Sequence, residues 1–470
     1  VLGLSAAAAV TLFRFPGHRF FEWALLLPMA MPAYVVAYAY TDFFQFSGPL
    51  QNFIRATWSL EGRVFPEIRS LGGAIFVFSL TLYPYVYLLA RTALSERASN
   101  LMEAARMLGA PLYRRITEVA LPLARPAVAA GVALALMETL ADFGVSSYFG
   151  IQTFTAGIYK AWLVMENRIA AAQLATLLLV VILVLLAAEK RAQSRLRFYS
   201  ARVDRLSGEA QPFQLRGLSA AFVLTLCVLP VLCGFVLPVL FMFRALLQGD
   251  GFVNLPWDRF TQWSLTSLSL GALAASMAVG AALLLAAQAR LHPNWLTRQV
   301  VGVVGLGYAV PGAVIVVGLL LPVGWVQDTW PRTGVGFWLT DTLLGLLWAY
   351  LVRFVAVAFQ SVQSGYARVP ASLDDSARML GISGFSLIYR VHWPLLKKPL
   401  AAATLLVLID VMKELPATLV LRPFNTDTLA VMAYQLARDE RLGEAALPSL
   451  ALVMVGLLPV ILLSRTLRRN

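Results

Sequence analysis

Apolar residues in this chain come in long runs, not in the alternating or striped patterns of a water-soluble domain. The runs cover 1–13, 20–41, 71–91, a segment starting near Pro126, 169–188, 218–246, 264–289, 299–323, 337–362, 399–421 and 446–464. Most approach the roughly 20 residues that a helix needs to cross a bilayer. In lipid a spanning segment must satisfy its own backbone, so runs of this length predict helices. The pattern therefore predicts an all-α polytopic membrane protein.

The polar stretches between runs sort the spans by side. Arg and Lys gather at 14–19, 91–125, 189–205, 290–298 and in the tail with Arg465, Arg468 and Arg469. Basic loops mark the cytoplasmic side. Placing them all there is consistent if each half has six spans, with 247–263 and 323–336 external and the C-terminus cytoplasmic. An even number of spans per half gives parallel repeats related by an axis along the membrane normal. Composition agrees: 59% of the 470 residues are hydrophobic and 13% charged, where a soluble domain is nearer half apolar and a quarter charged. The net charge of +13 reports topology and does not point to nucleic acid.

One short stretch occurs twice. Residues 100–109 reappear at 372–381, a shift of 272 positions, with Ala105, Arg106, Met107, Leu108 and Gly109 matched identically. The register continues from Ile116 to Ile388, Val119 to Val391 and Pro122 to Pro394. Asn100 and Ser372 are suited to N-capping, with an acid three residues on at Glu103 and Asp375. Gly109 and Gly381 supply the left-handed turn that ends a helix. Each copy predicts about two turns of helix, too short to persist in water without a packing partner. Pro32 plays the part of Pro311, yet two spans precede that point in the second half and barely half of one in the first. The first repeat is thus expected to be incomplete at its N-terminus. The predicted organisation is a first repeat at 1–190, a cytoplasmic linker at 191–216 and a second repeat at 217–470.

Acidic residues inside apolar runs are the candidate chemistry. Glu138 and Asp142 map by the same shift onto Asp410 and Glu414. Each pair is spaced i, i+4, which on a continuous helix puts both carboxylates on one face. Intramembrane charges are costly and usually face a bundle interior or an aqueous path. Lys413, matched to Ala141, breaks the symmetry, and Pro416 is expected to bend or end the helix. Two readings stand: a transport pathway lined by Glu138, Asp142, Asp410, Lys413 and Glu414, whose four acids meet a hard cation transiently, and structural ion pairing of the acids with Lys413. Cys227 and Cys233 fall on different faces of one span and read as unpaired. His18, His292 and His392 are all expected in loops, with no His/Cys metal cluster. The chain has no Gly-Lys dipeptide and so no phosphate-binding loop of the Walker type. It is not expected to hydrolyse nucleotide or to be an enzyme.

Glu103-Ala-Ala with Gly109, Ile116 and Leu121-Pro122 resembles the EAA loop of binding-protein-dependent ABC importer permeases. The second copy departs from it, with Asp375-Ser-Ala in place of Glu-Ala-Ala. The fused two-repeat layout is most similar to ferric-iron permeases. So are Glu138-Thr-Leu-Ala-Asp142-Phe-Gly144, Gln152-Thr-Phe-Thr-Ala-Gly157-Ile-Tyr and Asp410-Val-Met-Lys413-Glu414-Leu-Pro416-Ala-Thr. The resemblance implies a type I ABC importer permease fold in a bacterial inner membrane. It implies coupling helices that insert into two copies of a separate cytoplasmic ATPase, which uses the ATP and Mg. Contacts would come from Glu103, Ala104, Ala105 and Gly109, and from Asp375, Ser376, Ala377 and Gly381. It also implies a periplasmic or lipoprotein binding protein that delivers ferric ion.

Fused thiamine permeases share this architecture, and related systems carry polyamines, phosphonates or sulfate. The expected mechanism is alternating access: ATP-driven closure pulls the coupling helices and rocks the two halves. Two other classes fit the pattern less well. One is a secondary transporter with the carboxylates as a proton relay. The other is a membrane scaffold, which leaves the cost of the intramembrane acids without a purpose.

Overall fold

The computed structural model describes residues 1–95, 99–200, 213–248 and 257–467. They are almost entirely helical. Among them, eight helices are long and apolar enough to cross a membrane, and a ninth candidate is a pair, His18–Ala30 and Ala33–Trp58, bent by 88°. Two strand residues, Phe13–Arg14, pair in parallel with Phe213–Gln214. This short bridge has no periodicity for a sequence to show. It holds the far end of the expected linker, with the Arg115 guanidinium 4.8 Å from the centre of the Phe213 ring. The middle of the linker, 201–212, lies outside the described residues.

Several spans differ from the sequence expectation, each for a local reason. The run at 20–41 is broken at Pro32 and the run at 299–323 at Gly305 to Pro311. In both cases a 3-10 turn, Leu27–Ala30 or Gly307–Ala309, precedes a proline that caps the next helix, Ala33–Phe44 or Gly312–Thr329. Proline cannot donate to a preceding turn, so the helix restarts there. The two breaks correspond, as the pairing of Pro32 with Pro311 predicts. The helix expected to start near Pro126 instead begins at Leu112. Pro126 removes one backbone bond without ending it, which membrane helices tolerate.

The chain forms two compact units: 1–157 with 177–254 and 433–470, and 158–176 with 255–432. These contact units divide the chain differently from the sequence repeat. In the first, Leu71–Ala93 packs against Leu2–Leu12 and Leu121–Ala141, while Leu237–Gln248 packs against Leu442–Leu467 and Ala33–Phe44. Close approach is set by Gly131, where a Cβ would stand 2.7 Å from the Val86 Cα. In the second unit, Trp257–Leu291, Leu343–Tyr366 and Trp393–Lys413 pack against one another pairwise. Trp257–Leu291 presents Ala274, Ala278, Ala282 and Ala286 to this core. Small residues at helix seams let backbones approach where lipid offers no hydrophobic drive. Cys227 and Cys233 are both free thiols.

Candidate functional site

The two copies of the repeated stretch fold as elbows that lead into the acid-bearing helices. The first is the helix Ser99–Met107, the second Ser372–Met379. Gly109 and Gly381 take left-handed φ of 78° and 76°, as expected. Beyond them, the Ala110 N–H returns to the Ala105 carbonyl at 3.0 Å and the Ile382 N–H to that of Ala377 at 2.9 Å. After each elbow a π-helical turn, Arg115–Ala120 or Ile388–His392, enters Leu121–Ala141 or Trp393–Lys413. Both turns stand in the 272-residue register.

The capping expectation is corrected. Ser372 is the first helical residue, and Ala371, which has no capping side chain, occupies the N-cap. The Ser376 hydroxyl bonds back to the Ser372 carbonyl inside the helix. Asn100 lies within its helix; its side chain and that of Glu103 lie outside the described residues.

Exposure sorts the expected docking residues. Ala104, Gly109, Asp375, Ser376 and Gly381 are exposed and Ala105 is partly so, but Ala377 packs inward at 6%. The largest apolar exposures on the elbows belong to side chains not singled out from the sequence: Met107 at 87%, Leu108 at 88%, Met379 at 88% and Leu380 at 80%. Their signal was present, since both pairs lie in the identical block.

Behind the second elbow is a buried polar network that spacing did not reveal. Arg290 Nε donates to Asp374 Oδ2 at 2.6 Å, and its two Nη groups donate to the Tyr366 and Pro370 carbonyls. His392, expected in a loop, is fully buried in the π turn. Its Nε2 donates to Asp374 Oδ1 at 3.0 Å, which leaves Nδ1 of a neutral ring to accept from the Tyr366 hydroxyl at 2.9 Å. Burial alone would push the Asp374 carboxyl up. The hydrogen bonds from Arg290 and His392, together with the Arg290 charge, outweigh this and hold it below the usual carboxylate range.

The intramembrane acids divide into two kinds. Glu138 and Asp410 sit on their helices, partly exposed. Asp410 interacts electrostatically with Lys413, three residues on. Asp142 and Glu414 do not share that helical face. Each stands just past its helix end in extended backbone, with ψ of 133° and 120°. Asp142 Oδ2 accepts from the Val145 and Ser146 N–H groups at 3.0 and 3.1 Å. Glu414 accepts from the Ala417 and Thr418 N–H groups, both at 3.0 Å. These carboxylates start the short helices Gly144–Phe149 and Pro416–Leu421. The i, i+4 argument fails because the helix stops between its two members.

Glu414 is also ion-paired with Arg353 at 3.4 Å, the two side chains being 2% and 14% exposed. Among the described residues, no three His, Cys, Asp or Glu side chains are grouped to hold a metal ion. The metal-ligand expectation for Glu138, Asp142, Asp410 and Glu414 thus finds no resident site, since two of the four are committed to backbone amides.

Comparison with known proteins fits this arrangement. The family model for the binding-protein-dependent transport system inner membrane component matches residues 1–198 and 278–469. The Fe(3+)-transport system permease protein FbpB 2 of Haemophilus influenzae is 25% identical, over 99% of this chain and 86% of its own length. The probable ABC transporter permease protein y4fN of Sinorhizobium fredii is 24% identical, over 99% of this chain and 84% of its own. The sulfate transport system permease protein CysT of Escherichia coli is 31% identical over 31% of this chain and 50% of its own length. With both repeats matched, the chain belongs to the family of inner membrane components of binding-protein-dependent transport systems, the permease subunits of ABC importers.

Proposed function

We propose that this permease moves ferric iron from a periplasmic binding protein into the cytoplasm, driven by two copies of a separate ATPase. The observation that carries the reading is the likeness, along nearly the whole chain, to a protein described as an Fe(3+)-transport permease. The elbows support the motor side. Outside the spans, Met107, Leu108, Met379 and Leu380 expose apolar surface that a cytoplasmic partner would cover. Each elbow joins an acid-bearing helix, so a pull on the elbow would reach the membrane interior. Glu103, Ala104, Ala105, Gly109, Asp375, Ser376 and Gly381 would frame these contacts. Of the four acids, Glu138 and Asp410 lie within their helices and are partly exposed, and hard oxygen donors suit a small trivalent cation.

Sulfate and 2-aminoethylphosphonate permeases match shorter stretches. Uptake of labelled ferric citrate, thiamine, sulfate and 2-aminoethylphosphonate in a deletion strain complemented with this chain separates the cargoes. Iron uptake alone should be restored. It should be lost when Glu138 and Asp410 are both replaced by Ala, while the ATPase still co-purifies. Restoration of another cargo would overturn the iron reading.

A further inference from the structure

The two elbows are seated by opposite chemistries. Tyr366, Asp374 and His392 correspond, 272 residues earlier, to Leu94, Met102 and Ala120. These three are buried, at 1%, 5% and 0% exposure, in one apolar core. At these three positions apolar contact seats the first elbow. The counterpart of Arg290 is His18, which bonds to the Val10 carbonyl and lies 3.4 Å from Glu22. The second elbow is held instead by the Arg290–Asp374–His392–Tyr366 network, which ties it to three helices.

Apolar contact is non-directional and permits sliding at little cost. A satisfied buried network fixes angles, because moving any member strands a desolvated partner. Stability does not demand it, since a well-packed apolar set of similar volume is often as stable as a buried ionic one. We infer that Asp374 and His392 are positioning residues: they lock the second elbow to Trp257–Leu291 and Trp393–Lys413, so this elbow moves its acid helix as one body while the first shifts on an apolar seat. The inference rests on the elbows docking an ATPase.

The test is hydrogen exchange on the intact permease–ATPase complex in nanodiscs, with and without ATP and vanadate. In the parent, trapping should change exchange in both 372–382 and 393–413. The variant carrying Arg290→His, Tyr366→Leu, Asp374→Met and His392→Ala installs the first elbow's chemistry. It should keep the elbow response, while the response of 393–413 shrinks by roughly tenfold, within the range of typical coupling free energies. Asp374→Asn, which keeps the side chain's shape, should lose part of it and stands in should the fourfold variant not insert. A parental response of 393–413 in either variant overturns the inference alone. A parent that purifies without an ATPase overturns the docking reading and the inference with it.

Discussion

Asp142 and Glu414 stand 272 residues apart and do the same thing: each ends a membrane helix and accepts the backbone N–H groups three and four residues ahead. The relationship separates these acids from Glu138 and Asp410, although all four lie in apolar runs. A cap can be removed for about 1–2 kcal/mol. Removing one partner of a buried ion pair costs about 3–5 kcal/mol, because the other charge is left behind. Asp142→Ala should therefore lower the thermal midpoint of the purified protein modestly. Glu414→Ala, which also breaks the buried ion pair with Arg353, should lower it more, and Glu414→Gln should recover part of the loss. Equal midpoints for the two Ala variants would contradict this account.

The exposed pairs on the elbows make a different kind of claim. Met107, Leu108, Met379 and Leu380 touch little of their own chain, so changing them should leave stability within about 0.5 kcal/mol. Replacing all four by Ser should reduce ATPase co-purification sharply with no change in the amount of permease in the membrane. Undiminished co-purification would mean that the partner does not cover these side chains.

Gly109 and Gly381 test backbone geometry alone. No atom lies within 4 Å of a Cβ built at either position. A side chain there meets no steric wall, only the left-handed φ, which costs a non-glycine residue about 1–2 kcal/mol. Gly109→Ala and Gly381→Ala should each speed hydrogen exchange in the last turn of their own elbow. Asn, which tolerates this region, should be milder than Ala. Exchange as slow as in the parent would count against the strain.

Asp374 carries a pH signature with a definite sign. Its folded-state pKa is held below the ordinary carboxylate value. It therefore contributes stability at pH above the unfolded value of about 3.9, and that contribution is lost as pH falls from there through the folded pKa. Protection of 372–382 by this carboxylate should be flat from pH 8 to 5 and fall in more acidic buffer. Asp374→Asn should remove the carboxylate's acid-dependent step. A step of unchanged size in that variant would assign it to another group.

The membrane class, the repeat and the elbows were legible in the sequence because each is written in local, periodic terms. Run length reports a hydrocarbon thickness, a fixed offset of 272 reports duplication, and Gly109 and Gly381 report a backbone conformation that glycine accepts most readily. The Pro32 and Pro311 breaks were half legible: the correspondence showed, but a run of apolar residues does not reveal that a proline within it restarts the helix.

The roles of the acids were decided only by tertiary structure. Spacing treats Glu138 with Asp142 and Asp410 with Glu414 as i, i+4 pairs on one helix. Whether the helix continues to the second acid depends on which backbone amides need a carboxylate more than the next turn does. Arg353 beside Glu414, and Arg290 and His392 around Asp374, come from elements 18 to 84 positions away in the chain. Sequence fixes which groups carry charge, but the free energy of a buried charge is set by the partners that folding brings to it.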